Sequence, residues 1–139
     1  MAVAGKAAIG ITATAAAVYS LNKYFNGGQN KNFPSLQGKT IVITGGNTGL
    51  GFICAKEMVK LGPSKIVIAC RDQKKANEAI QKIMEEVGEK GNLQIEYRPL
   101  DLNDLNSVKS FAETFKGDKI DILLNNAGIM AVPQKETTA

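Results

Sequence analysis

Thr40-Ile41-Val42-Ile43-Thr44-Gly45-Gly46-Asn47-Thr48-Gly49-Leu50-Gly51 joins a short apolar run to a cluster of glycines. The β-branched run 40–43 has the pattern of a buried strand. Beyond the glycines, Phe52-Ile53-Cys54-Ala55-Lys56-Glu57-Met58-Val59 reads as a helix ended by Gly62-Pro63. Strand, glycine turn and helix together make such a motif informative. Gly45 permits the tight turn out of the strand, and Gly49 lets backbone N–H groups come close to a phosphate. Gly51 lets the helix pack closely on the sheet, while the helix N-terminus favours negative charge. A glycine-rich loop that binds nothing could use the same residues, so the rest of the chain has to supply the context.

That context is a regular alternation. Lys65-Ile66-Val67-Ile68-Ala69-Cys70 reads as a second buried strand. Asp72 can cap the next helix, in which Ala76, Ala79, Ile80, Ile83, Met84 and Val87 keep a 3.6-residue period until Gly88. Leu93-Gln94-Ile95-Glu96-Tyr97-Arg98 alternates as an edge strand does. Asn103 or Asp104 opens a helix with Leu105, Val108, Ala112 and Phe115 on one face, stopped by Gly117, and Ile120 to Leu124 forms a fourth strand. Short βα connections with right-handed crossovers then give an α/β, Rossmann-like doubly wound parallel sheet ordered 3-2-1-4.

With 139 residues the chain can bury one domain's core. The net charge of +4 is unevenly spread. Residues 1–56 carry five lysines (6, 23, 31, 39 and 56) and no acid, whereas residues 57–139 carry 12 bases and 13 acids. No basic face with interleaved aromatics appears, so nucleic acid is not an expected partner. The absence of histidine excludes a histidine-based mechanism or metal site within these residues. Cys54 and Cys70 have no CxxC spacing and read as reduced, buried thiols, which suits a reducing compartment.

The first 25 residues differ from the rest. No charge occurs from Ala7 to Asn22, and the run 8–18 is mildly apolar. Val3 to Phe25 as a helix would reach about 34 Å with Lys6 and Lys23 snorkelling, against a hydrocarbon core of about 30 Å. Residues 1–25 are therefore expected to be a membrane anchor, with a cleaved targeting segment as the alternative. Lys23, Lys31 and Lys39 follow this segment and place the globular part in the cytosol by the positive-inside tendency, with organelle targeting left open. Residues 26–37, with Gly27, Gly28 and Pro34, read as a linker, leaving 38–139 as the nucleotide-binding unit.

In this topology the end of the second strand lies beside the adenosine ribose, about 20 residues beyond the glycines. Arg71 stands there, 20 residues after Gly51. A guanidinium at that point suits a 2′-phosphate and so NADP(H). The alternative makes Arg71 a solvated charge and Asp72 the ribose acid. Asp101, followed by Leu102, stands past the third strand where adenine should lie, and its other reading is a turn residue. Asn125-Asn126-Ala127-Gly128 closes the fourth strand with small residues that let a cofactor approach and amides that can tie this loop to Thr44.

Thr-Gly-x-x-x-Gly-x-Gly at 44–51, Ala-Cys-Arg-Asp at 69–72, Asp-Leu at 101–102 and Asn-Asn-Ala-Gly at 125–128 together resemble the short-chain dehydrogenase/reductase family. Asn47-Thr48, Ala69 to Asp72 and Asn126 to Met130 are most similar to its membrane-anchored retinol dehydrogenase branch. The resemblance covers about residues 38–134. It implies an NADP(H)-dependent oxidoreductase acting on a small carbonyl or alcohol of lipophilic type. Gly45, Asn47, Thr48, Gly49, Leu50, Arg71, Asp101, Leu102, Asn126, Ala127 and Gly128 would surround the cofactor. Members of the family carry a catalytic Ser and a Tyr-x-x-x-Lys pair after the fourth strand, where Tyr is the acid/base and Lys lowers its pKa. The only matching spacing, Tyr19-Ser20-Leu21-Asn22-Lys23, precedes the first strand and is a decoy, so no catalytic residue is assigned. The chain reads as the cofactor-binding half of a longer enzyme. A non-catalytic, membrane-anchored remnant serving in a larger assembly is the alternative. Ile122, Leu123 and Leu124 would then offer an apolar sheet edge to a partner protein.

Overall fold

The computed structural model describes residues 2–27, 32–88 and 92–129. The chain forms two compact units, Met1–Phe33 and Pro34–Ala139. The first contains a single helix, α1 (Ala2–Phe25), whose last residues pair Tyr24 with Phe25 edge to face at 5.4 Å. The anchor expected at residues 1–25 falls in part on side chains outside the described residues. Among the described residues no helix is long and apolar enough to cross a membrane.

In the second unit, four strands make one parallel sheet in the order β3-β2-β1-β4, the order expected from the alternation. The strands are β1 (Thr40–Thr44), β2 (Lys65–Cys70), β3 (Gln94–Pro99) and β4 (Ile122–Leu124). Three helices connect them: α2 (Gly49–Lys60), α3 (Gln73–Val87) and α4 (Leu105–Glu113). Ile41 stands opposite Ile66 on one side and Ile122 on the other, so the three apolar runs lie in register.

Strand alternation sends the side chains of β1 and β2 to opposite faces. Ile41, Ile43, Ile66 and Ile68 point to the α2 and α3 side, where Ala55, Val59, Ala76 and Ile83 cover them completely or nearly so. Val42 and Val67 point the other way and, among the described residues, pack with Phe115 and Phe111. Leu36 also packs on the first face and donates its N–H to the Leu61 carbonyl oxygen at 3.0 Å, so the end of the expected linker belongs to the globular unit.

Each helix start has its own chemistry. Asp72 caps α3 by accepting from the Lys75 N–H, and Asp104 caps α4 by accepting from the Asn106 N–H. α2 begins at Gly49, inside the glycine cluster, and its N-cap Thr48 makes no side-chain cap bond. The first-turn N–H groups of α2 therefore include those of the motif itself. α4 departs from expectation. None of its residues is buried, and the inward positions are Val108 and Phe111, whereas Leu105 and Ala112 face solvent. The reason lies in the cover: the face beneath offers only two valines, which the edge-to-face pair Phe111–Phe115 (5.1 Å) suffices to meet.

Asp121 fixes the start of β4 to β1. Its Oδ2 accepts from the Thr40 N–H at 3.0 Å, and its Oδ1 meets Lys119 Nζ at 2.8 Å and Lys39 Nζ at 3.2 Å. The Lys119 contact first, and then the Thr40 N–H, hold this carboxyl well below the ordinary carboxylate range. A depressed folded-state pKa stabilises above the unfolded value, about 3.9, and that stability is lost as pH falls through the folded value. Asp121→Asn should lower the thermal midpoint at pH 7, and the gap to the parent should close as pH drops below about 4. Melts of both proteins across pH 2–7 check this, and a gap of constant size at every pH would contradict it.

Candidate functional site

The carboxyl ends of β1 and β4 are joined through one hydroxyl. Thr44 is buried, and its Oγ1 accepts from the Asn126 N–H and the Ala127 N–H, both at 3.0 Å, while donating to the Leu124 carbonyl oxygen at 3.4 Å. The Asn126 amide returns the contact: Nδ2 donates to the carbonyl oxygens of Thr44 at 3.1 Å and Gly45 at 3.3 Å. The tie expected between the Asn125–Gly128 loop and Thr44 is therefore present, and Asn126 rather than the exposed Asn125 makes it.

The glycines divide the labour at this rim. Gly45 has φ of +65°, and a Cβ there would press on Ala127 Cα at 3.1 Å. At Gly51 a Cβ would run into the Gly45 carbonyl oxygen and the Asn126 amide, so only glycine fits where α2 meets the turn. Gly49 has φ of +57° and nothing within 4 Å of where its Cβ would stand. The space in front of the first turn of α2 is thus open on the side where a phosphate would approach. Asn47 is half-buried, whereas Thr48 and Leu50 are exposed along that opening. A dinucleotide pyrophosphate suits such a turn, which leads into a helix N-terminus that has no side-chain cap and favours negative charge.

At the end of β2, Arg71 is exposed and makes no hydrogen bond or ion pair among the described residues. Asp72 beside it is engaged with α3. Burial pushes the Cys70 thiol up, so this sulfur remains a neutral wall residue. Past β3, Asp101 is half-buried, with Oδ1 accepting from the Asn103 N–H at 2.9 Å. The turn role foreseen for Asp101 is present, and its second oxygen has no protein partner among the described residues. Leu102 is exposed, as are Ala127 and Gly128. The sequence reading missed Ser107, whose Oγ accepts from the Asp101 N–H at 2.9 Å and holds the Asp101 turn against α4. A hydroxyl residue six positions after a strand end is too common a pattern to signal this.

Tyr97 packs against the core on β3 with its phenol pushed up by burial. Tyr19 lies on α1, in the other unit.

A family model described as short chain dehydrogenase matches residues 39–139. Retinol dehydrogenase 12 of Mus musculus is 40% identical over 121 residues, which cover 86% of this chain and 37% of that protein. Retinol dehydrogenase 13 of Homo sapiens is 38% identical over 132 residues, 94% of this chain and 38% of that one. Among solved structures, L-sorbose reductase from Gluconobacter frateurii, complexed with NADPH and L-sorbose, superposes with a TM-score of 0.59 at 29% identity. That match covers 68% of this chain and 35% of the reductase. The chain thus spans little more than a third of the length of the relatives it matches.

If Thr44 is the hub of the rim, Thr44→Val should leave the Asn126 and Ala127 N–H groups unpaired and cost about 1–3 kcal/mol of unfolding free energy. Thr44→Ser should recover most of that loss. Urea melts of the two variants check the claim, which fails if Val and Ser are equally tolerated.

Proposed function

Because the chain belongs to the short chain dehydrogenase family, we propose that residues 38–139 are the cofactor-binding part of an NADP(H)-dependent oxidoreductase interconverting an alcohol and a carbonyl compound. The observation that carries the choice of cofactor is the exposed Arg71 at the end of β2, which makes no hydrogen bond or ion pair among the described residues, within the same rim as the turn at Gly49. A guanidinium there can bind a 2′-phosphate through two charge-assisted hydrogen bonds. The G. frateurii reductase, whose complex contains NADPH, supports the same choice.

In this reading Gly45, Asn47, Thr48, Gly49 and Leu50 line the pyrophosphate, with the first-turn N–H groups of α2 as donors. The free oxygen of Asp101 accepts from the adenine amino group, and Leu102 flanks the base. Asn126, Ala127 and Gly128 give the nicotinamide half a rim without bulky side chains. When bound, the cofactor supplies or accepts the hydride. What this chain contributes is orientation, because Thr44 and Asn126 fix the distance between the turn and the β4 rim. The names of the mouse and human relatives suggest a lipophilic alcohol or aldehyde of the retinol type as substrate for the whole protein.

Arg71→Ala in the full-length protein should weaken NADPH by roughly 1.5–3 kcal/mol, about ten- to a hundredfold, and leave NADH nearly unchanged. Calorimetric titration of both cofactors checks this; equal losses would refute the assignment. Residues 1–139 alone should show no NADPH turnover with a panel of aldehydes and ketones, since no acid/base group is assigned at the nicotinamide side. A rate that vanishes in a Gly45/Gly49 double variant would overturn that expectation.

A further inference from the structure

Resting on the reading of Asp101 as the adenine acceptor, we propose that Ser107 is a positioning residue for the adenine half of the cofactor and acts through the Asp101 turn. Asp101 shares a rim with the glycine turn because backbone bonds run along the strand ends. The Gly45 N–H donates to the Ala69 carbonyl oxygen at 2.8 Å, and the Leu100 N–H donates to that of Cys70 at 3.0 Å. Beyond the buried Leu100 the chain leaves the sheet and closes a turn on itself. The Asp101 carbonyl oxygen accepts from the Asp104 N–H at 3.3 Å, and Asp101 Oδ1 accepts from the Asn103 N–H at 2.9 Å. Both bonds lie within the turn, so neither sets its tilt against the rest of the unit. The Asp101 N–H reaches outside it, donating at 2.9 Å to Ser107 Oγ in the first turn of α4.

Ser107 stands three positions after the N-cap Asp104. A side chain at that position ordinarily returns to the N–H of its own cap residue. Here the Asp101 carbonyl takes that N–H, and the hydroxyl reaches three residues further back. Because α4 buries none of its residues, packing alone holds it loosely, and this bond is its directional link to the acceptor residue. Without the hydroxyl, the Asp101 N–H has no other partner among the described residues. The peptide plane before Asp101 would then turn toward water to satisfy it. That plane sets where the second carboxylate oxygen of Asp101 stands, and a hydrogen bond weakens steeply as its angle departs from linear. On the cofactor, the group this oxygen would accept from is the adenine 6-amino group. The effect of Ser107 should therefore be confined to ligands that carry that group.

Titration of the full-length protein with NADPH and with its hypoxanthine analogue, in which oxygen replaces the 6-amino group, tests this. The parent should bind NADPH more tightly than the analogue. Ser107→Ala should weaken NADPH roughly three- to tenfold and leave the analogue within about twofold of the parent. Ser107→Thr, which keeps a hydroxyl, should bind both ligands as the parent does. A purely structural role would weaken the two ligands alike in Ser107→Ala. Equal losses, or no loss of NADPH, overturn the proposal. Independently of any variant, hydrogen exchange at the Asp101 amide should slow when 2′,5′-ADP is added and stay unchanged with reduced nicotinamide mononucleotide, which has no adenine. The same response to both ligands, or a response to neither, would also overturn it. The parent's own preference reports on the underlying reading. If the parent binds NADPH and the analogue equally, Asp101 is not the adenine acceptor. A parent that prefers NADPH, with equal losses in Ser107→Ala, sinks only the role of Ser107.

Discussion

A Cβ at position 51 would occupy the space held by the Gly45 carbonyl oxygen and the Asn126 amide. The whole rim depends on that one missing atom. Because Gly51 lets α2 approach the turn, the Gly45 carbonyl can lie within reach of Asn126, and Asn126 can in turn present its backbone N–H to Thr44. The same approach brings the first-turn N–H groups of α2 to the top of the sheet, where Thr48 leaves them without a side-chain cap. A conventional Asp or Ser cap bond would satisfy one of those donors internally. Its absence at α2, beside capped starts at α3 and α4, leaves donors for an external anion.

The two faces of the sheet are not equivalent. The isoleucines of β1 and β2 bury fully beneath α2 and α3, while the valines meet little beyond Phe115. Phe115 itself is held from the side. Arg98 stacks over its ring at 4.1 Å, donates to the Thr114 carbonyl oxygen at 2.9 Å and hydroxyl oxygen at 2.8 Å, and pairs with Glu96 at 2.7 Å. One guanidinium thus pins the turn after α4 to the edge strand β3 and replaces apolar cover with directional contacts. Leu123, 55% exposed, and Leu105, 51% exposed, mark where that thin cover ends.

Much of this was legible in the sequence because it is local. The alternation of β-branched runs and 3.6-residue periods gives the element order, and the short βα turns leave few sheet orders to choose from. Asp72, Gly88 and the glycine turn act within a few residues of themselves, so their roles follow from spacing. The inward face of α4 was not legible, because Leu105, Val108, Ala112 and Phe115 form as good a stripe as Val108, Phe111 and Phe115. Only the two-valine surface beneath chooses between them. Asp121 was silent for the same reason, since its partners Lys39 and Thr40 lie about 80 residues away.

β4 shows how these non-local contacts combine. It has only three ladder residues, pairs with β1 alone among the described strands, and exposes Leu123. So short a strand gains little from ladder bonds or burial, yet it carries the Asn126–Gly128 loop of the site. Two polar clamps offset that weakness. Asp121 ties its first end to Thr40 and to two lysines, and the Thr44 hydroxyl ties its last end to Asn126 and Ala127. Thr40 and Thr44 are the first and last residues of β1, so one central strand provides both anchors. The position of the rim relative to the glycine turn is therefore set by the length of β1, a buried and fully paired strand, rather than by the packing of β4 itself. A site placed this way depends little on the thin cover of the sheet beside it, because the atoms that fix it belong to a buried strand paired on both sides.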